Sequence, residues 1–186
     1  YFENIVSEGS YRWPEEKIPL KVFVEDGRDV KGYKDSFRAD LIKSFNSWCE
    51  ASDGRLCYRI VIDRRHADID CGWTANPTEV AGDGRVSERG SAKLTARAGI
   101  IQNATLKILT RPILENGILS DDDMTKACLH EVGHVLGLQG HSTNNHDVMF
   151  YTVDTATVWP VLSRRDKRTI ARLYEKYRRS PSNAVR

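Results

Sequence analysis

Hydrophobic positions recur along this chain with two periods, and the changes from one period to the other mark its elements. Apolar residues alternate from Leu20 to Val24, just after Pro19, which predicts a first strand. Phe37, Leu41, Phe45 and Trp48 recur at helical spacing, so residues 34–50 are expected to form an amphipathic helix whose aromatic stripe is core packing. Residues 56–62 read as a second strand, and Ile69, Cys71 and Trp73 share one face of a third. Residues 74–90 hold Pro77, Gly82, Gly84 and Gly90 among polar neighbours and read as a long loop. Two further strands are expected at Leu94-Thr95-Ala96-Arg97-Ala98 and at residues 100–109. Ser120-Asp121-Asp122-Asp123 then opens a helix, with Ser120 as cap and Asp123 at the reciprocal capping position. Met124, Ala127, Cys128, Leu129, Val132 and Val135 give that helix an apolar body.

The second long helix carries the chemistry. It contains the run H-E-V-G-H-V-L-G-L-Q-G-H-S, which holds three of the five histidines of the chain. His130 and His134 are four residues apart, so on a helix they share one face, about 6 Å apart along the axis. Two imidazoles at that separation can grip one metal ion. Glu131 follows the first of them and can reach a metal-bound water as a base rather than as a ligand. Gly137 can end the helix in a left-handed turn, after which the chain swings back and offers His141 as a third ligand. Three protein ligands leave a fourth position for water, the layout of a catalytic zinc rather than a structural one. Two histidines at this spacing alone also arise by accident on an ordinary surface helix. The added glycine and third histidine at fixed spacing are much harder to obtain by chance.

H-E-x-x-H-x-x-G-x-x-H is the signature of the metzincin clan of zinc endopeptidases, and Ser142 after the third histidine resembles its matrixin branch. Met149, in H-D-V-M-F-Y, fits the methionine turn of that clan, and its thioether would floor the metal site as packing. The run Leu162-Ser163-Arg164-Arg165-Asp166, leading into Ile170, Leu173 and Tyr174, resembles the matrixin C-terminal helix, and Ala67-Asp68-Ile69 also looks matrixin-like. The resemblance implies an α+β fold: a twisted mixed five-stranded sheet on two long helices, an active-site cleft, and a small C-terminal part with a third helix. The whole chain, residues 1–186, is then one catalytic domain, with an N-terminal subdomain to about residue 140 and a C-terminal one over residues 141–186. One zinc ion on His130, His134 and His141 would acidify its water. Glu131 would take the proton as that water attacks a peptide carbonyl, then hand it to the leaving amine. The edge strand beside the cleft, assigned to Leu94, Thr95, Ala96, Arg97 and Ala98, would hold the peptide as an added strand.

Several positions depart from the matrixin pattern. Tyr151 stands where matrixins usually have proline. It resembles the tyrosine of the astacin and serralysin branches, which implies a position near the metal, binding it or stabilising the oxyanion. Residues 74–90 contain no histidine, so no second, structural zinc is expected; His66 and His146 are the spare ones. Asp83, between Gly82 and Gly84, offers a calcium ligand, although an isolated Gly-Asp-Gly is more often a turn. Arg165 replaces the first of two adjacent aspartates, which puts an ion pair with the mature N-terminus in doubt and leaves Asp166 to bond backbone near the methionine turn or to cap its helix.

Composition narrows the remaining choices. The 186 residues carry a net charge of +2 with mixed signs, which gives no reason to invoke nucleic acid or a membrane surface. No apolar run is long enough to span a bilayer. No signal peptide precedes the domain, so a secreted, extracellular enzyme would be present here as its mature chain, and the clan implies an inhibitory propeptide. A monomer acting on protein or peptide is expected. Cys49 and Cys57 flank a turn, and Cys71 and Cys128 would tie sheet to helix. Two bridges and four buried free thiols stand as equal alternatives. Residues 151–162, with Val153, Val158 and Trp159, are expected to wall the specificity pocket. Two other functions stand as alternatives: a zinc exopeptidase of narrow specificity, which needs a charged group to catch a terminus, and an inactive zinc-binding module, which needs no Glu131.

Overall fold

The computed structural model describes residues 1–6, 10–81, 89–112, 119–151 and 160–175. Five strands form one mixed sheet in the order β2-β1-β3-β5-β4. They are β1 (Leu20–Val24), β2 (Tyr58–Val61), β3 (Ile69–Thr74), β4 (Gly90–Arg97) and β5 (Ile100–Leu109). All neighbours run parallel except β4, which is antiparallel to β5 and forms one edge. The helices are α1 (Phe2–Val6), α2 (Asp35–Ala51), α3 (Asp121–Val135) and α4 (Arg164–Leu173). This is the α+β layout that the resemblance implied.

The periodicities explain why these elements pack as they do. Leu20, Val22 and Val24 of β1 point into the core, and the central β3 buries Ile69, Cys71 and Trp73. Phe37, Leu41, Phe45 and Trp48 lie fully buried along α2. Trp48 cannot bury its indole N–H without an acceptor, and it donates to Leu129 O of α3 at 2.8 Å, fixing α2 against that helix. The expected capping box forms at Ser120, and the structure adds a second at Ser163. Ser120 and Asp123 exchange bonds of 3.1 and 3.2 Å at the start of α3, and Ser163 with Asp166 does the same for α4.

The bounds of two strands, β2 and β4, differ from expectation. β2 covers residues 58–61 rather than 56–62, because its ladder to β1 runs only from Leu20↔Tyr58 to Phe23↔Val61. β4 begins at Gly90, four residues early, since the ladder to β5 extends to the pair Gly90↔Ile108. Its Gly-Ser-Ala-Lys start looks like loop only because pairing, not side-chain propensity, makes it a strand. Ala98 lies outside β4: it sits at φ 50° in the turn with Gly99. All four cysteines are free, so of the two alternatives the bridges are not formed, and the thiols are not all buried: Cys71 and Cys128 are, Cys49 is half-buried and Cys57 is exposed. Burial pushes the Cys49 thiol up to about 12 and raises Cys71 and Cys128 further.

The C-terminal end of α3 needs outside donors for its last carbonyls. Trp13 Nε1 donates to Val135 O at 2.8 Å, and the buried Tyr174 hydroxyl donates to Leu136 O at 2.9 Å. The same hydroxyl accepts Trp13 N at 3.1 Å. Tyr174→Phe would remove the donor to a buried carbonyl and the acceptor of a buried N–H at once. A loss of about 1–3 kcal/mol in urea unfolding is expected, with the metal-site residues untouched.

Candidate metal centre

Helix α3 presents His130 and His134 one turn apart, and the chain then reverses at Gly137. That residue has φ +106°, and a side chain there would run into Tyr11 O, so glycine is required. Leu138 N donates back to Gly133 O at 3.1 Å and Gly140 N to Ile5 O at 3.2 Å, which aims residue 141 at the helix. The three imidazoles converge. Ring centroids are 4.7 Å apart for His130–His134, 5.0 Å for His134–His141 and 5.3 Å for His130–His141. One nitrogen from each lies within 4.8 Å of the others, and among the described residues no other group of His, Cys, Asp or Glu is so placed.

The outer nitrogens decide what the inner ones can do. His130 Nδ1 bonds Val148 O at 2.8 Å and His134 Nδ1 bonds Leu138 O at 2.6 Å. A carbonyl only accepts, so both Nδ1 atoms carry the proton and both Nε2 atoms offer lone pairs. Those two Nε2 atoms face each other at 3.0 Å. Two acceptors so close need a positive charge between them. Tetrahedral zinc, with Zn–N near 2.0–2.1 Å, holds two nitrogens about 3.3 Å apart, so the donor set fits that ion.

Burial keeps the rings neutral. His130 is pushed down to about 4 by desolvation, with the nearby His141 adding to it, and His134 is lowered by desolvation and then by both neighbouring rings. Neutral imidazole is the ligating form.

The floor of the site is built from close packing and buried acids. Met149 is fully buried with its thioether against Gly133, where any Cβ would collide with it and stand 3.0 Å from Trp48. The glycine inside H-E-V-G-H is thus the complement of the methionine. Asp166 Oδ2 accepts Val148 N at 2.9 Å and Ser163 N at 2.8 Å, so it both bonds backbone beside the methionine turn and caps its helix, and its Oδ1 accepts the Tyr1 hydroxyl. Burial raises both the Asp166 carboxyl and the Tyr1 phenol. Asp147, also fully buried, accepts Ser163 Oγ at 2.6 Å and Ser142 Oγ, and pairs with Arg165 at 3.1 Å. Sequence reasoning missed Asp147, Gly133 and the side-chain role of Ser142. Arg165 is accounted for here, since it answers Asp147 and stacks over the Tyr1 ring at 5.3 Å.

Glu131 is 6% exposed on the turn between His130 and His134, and its carboxyl lies against the backbone of Gly90. Tyr151 is 64% exposed, with its ring 4.3 Å from that of Phe150. Leu94, Thr95, Ala96 and Arg97 lie along the further half of β4, away from the Gly90 end that meets Glu131. His66 and His146 are exposed and take no part in the cluster. Asp83, Val153, Val158 and Trp159 fall outside the described residues.

The lowered histidines set a pH dependence for the metal-free fold. Unfolded imidazoles take up protons below about 6.5, whereas buried His130 refuses one until about 4. The unfolded state therefore binds more protons between these values, and stability falls as pH drops through that window. Denaturant midpoints at pH 7 and pH 5 should differ in the metal-free protein, and the difference should shrink in a variant with His130→Gln and His134→Gln. An equal pH slope in that variant would disprove the linkage.

Comparison with known families agrees with this geometry. No curated protein matches the chain. The family model described as Matrixin matches residues 12–175, a span that includes the whole sheet, all three histidines, the methionine turn and α4. A family model covering most of the chain, together with three converging imidazoles, establishes that this chain belongs to the matrixins, a family of zinc-dependent metalloproteases.

Proposed function

We propose that this chain is a zinc endopeptidase that cleaves extended polypeptide, with His130, His134 and His141 as its metal ligands and Glu131 as its general base. The observation that carries this reading is the pair of Nε2 lone pairs at 3.0 Å, with a third ring beside them and a carboxylate one residue away on the same helix. A zinc ion held there supplies a water acidified to a pKa near 7 and a Lewis acid for the substrate carbonyl. Glu131 accepts the proton of the attacking water and passes it to the leaving amine. Its low exposure keeps bulk water from competing for that proton. Tyr151, on a flank of the methionine turn, donates a hydrogen bond from its hydroxyl to the developing oxyanion.

The family supports a protein substrate. No helix among the described residues is long and apolar enough to cross a membrane. We assign secretion, a propeptide that blocks the zinc, a monomeric state, and a division into subdomains near residue 140 on the strength of family likeness. An inactive binding module has no use for a buried carboxylate beside the ligands, and Glu131 speaks against it.

Digestion of an unfolded protein, followed by gel and mass spectrometry, separates these readings. Cleavage at internal bonds, abolished by a chelator and restored by zinc, is expected. Glu131→Ala should lower kcat at least ~10²–10⁴-fold while leaving one zinc bound per chain. Release of terminal residues alone would mean an exopeptidase. Tyr151→Phe should cost about 10²-fold in kcat if its hydroxyl serves the oxyanion, and unchanged turnover removes Tyr151 from the mechanism.

A further inference from the structure

Charge is unevenly placed along this chain. Residues 164–186 hold nine of the 28 lysines and arginines and two of the 26 acids, so this stretch is +7 and the rest −5. Five of the nine cations lie on α4. The buried side of that helix, Asp166, Thr169, Ile170 and Leu173, is committed to the core, and its outer side carries Arg164, Arg165, Lys167, Arg168 and Arg172. Arg165 and Arg172 answer Asp147 and Glu3, whereas Arg164, Lys167 and Arg168 take no carboxylate among the described residues. This arrangement costs the helix stability. The cations crowd the end where its dipole is positive and favours acids, and Arg164 repels Lys167 and Arg168 at the i,i+3 and i,i+4 spacings.

Beside this face lies a groove of ≈ 310 Å³ where the start of α4 passes α2. Ala51, Pro160 and Val161 give it apolar surface, and Lys43 of α2 and Lys167 of α4 stand in its walls, with Glu50 the single acid of its described lining. Val161 leaves 63% of its surface to water, area that a ligand could cover with a gain. No ligand histidine and no residue of β4 lines the groove, so it is separate from the metal centre. The two features select among polyanions. A sulfated polysaccharide or a nucleic-acid backbone answers the cations but offers no aliphatic group to Val161. An anionic bilayer needs an apolar helix face to enter it, and the apolar side of α4 is buried. An acidic stretch of polypeptide broken by an aliphatic residue supplies both groups.

We propose that the outer face of α4 and the groove beside it form a docking surface for acidic polypeptide, where carboxylates meet Arg164, Lys167 and Arg168 while an aliphatic side chain covers Val161. The net negative remainder of the molecule repels an acidic partner and steers it to this face. The planar guanidinium forks of Arg164 and Arg168 match carboxylates, and each carboxylate bound there relieves the repulsion within α4. Docking itself is independent of the endopeptidase reading. That reading supplies its use: the docked segment belongs to a protein substrate whose scissile bond lies elsewhere in its chain.

The test is fluorescence anisotropy on the zinc-loaded chain carrying Glu131→Ala, so that the probe stays intact, with a short labelled peptide of glutamates around a central leucine. Saturable binding that weakens with added salt is expected. The double variant Arg164→Glu, Lys167→Glu should bind about ten-fold more weakly. Its thermal midpoint should hold or rise, because it sets acids at the positive end of the dipole. Val161→Ser should weaken binding of the leucine-bearing peptide about three-fold and leave a glutamate-only peptide unaffected. Unchanged affinity in the double variant, or a midpoint that falls along with the affinity, would overturn the proposal. So would equal affinity for the two peptides, or binding of heparin, duplex DNA or phosphatidylserine vesicles that is tighter than the peptide's and indifferent to Val161. With Glu131 restored, the double variant should raise KM for an acidic protein substrate and leave cleavage of a short neutral peptide unchanged. If the restored chain cleaves nothing, the endopeptidase reading falls, and the anisotropy still decides the docking surface.

Discussion

Two backbone carbonyls, Val148 O and Leu138 O, govern this site. By accepting from the Nδ1 atoms of His130 and His134 they fix each ring's rotation and tautomer, and leave both Nε2 lone pairs aimed inward. Neither carbonyl belongs to the helix that bears the rings. Leu138 is set by the reversal at Gly137, which only a residue without Cβ can make under Tyr11. Val148 is set from its other side, because its N–H donates to Asp166 at the start of α4. The orientation of the first histidine thus depends on a helix that begins more than thirty residues later in the chain, through a single residue bonded by both its N–H and its carbonyl.

Buried acids make that dependence rigid. A carboxylate taken out of water is costly unless its oxygens are all answered by donors. Asp166 and Asp147 are both fully buried, and the donors around them are Tyr1, Val148, Ser163, Ser142 and Arg165. Those donors come from the first residue, from the loop after the third histidine, from the methionine turn and from α4. Any shift of one segment leaves an oxygen unanswered in an apolar surrounding. The methionine turn is therefore held in one position by hydrogen bonds, while Met149 itself only fills the space that Gly133 leaves.

Much of this was legible in the sequence because it is local. The ligand spacing, the helix cap at Ser120 and the aromatic stripe of α2 each follow from residues within a turn or two of one another. The start of β4 was not legible, because nothing in Gly-Ser-Ala-Lys favours a strand until β5 supplies the ladder. Asp147 gave no signal either. An aspartate in a polar loop looks solvated, and only folding brings Ser163 and Arg165, sixteen and eighteen residues on, to its two oxygens. Glycines were read as punctuation, which holds for Gly137 but misses Gly133 and Gly90, whose absent side chains make room for Met149 and Glu131. The sequence reports what a residue carries more readily than what it omits.

Preorganisation of this kind changes what metal binding has to do. Free imidazoles at pH 6 are largely protonated, so a flexible site must release protons and order three side chains as it loads. Here burial already holds His130 and His134 neutral, and two carbonyls already hold the rings in register. The cost of desolvating them, and of setting two lone pairs face to face, was met when the chain folded. It was offset by a core that buries Trp13, Trp48, Phe37 and Phe45 completely. A cation entering the cluster relieves that repulsion rather than creating order. The same fold that destabilises the empty cluster in acid therefore favours the loaded one, and the stability of the core and the affinity of the centre are two expressions of one arrangement.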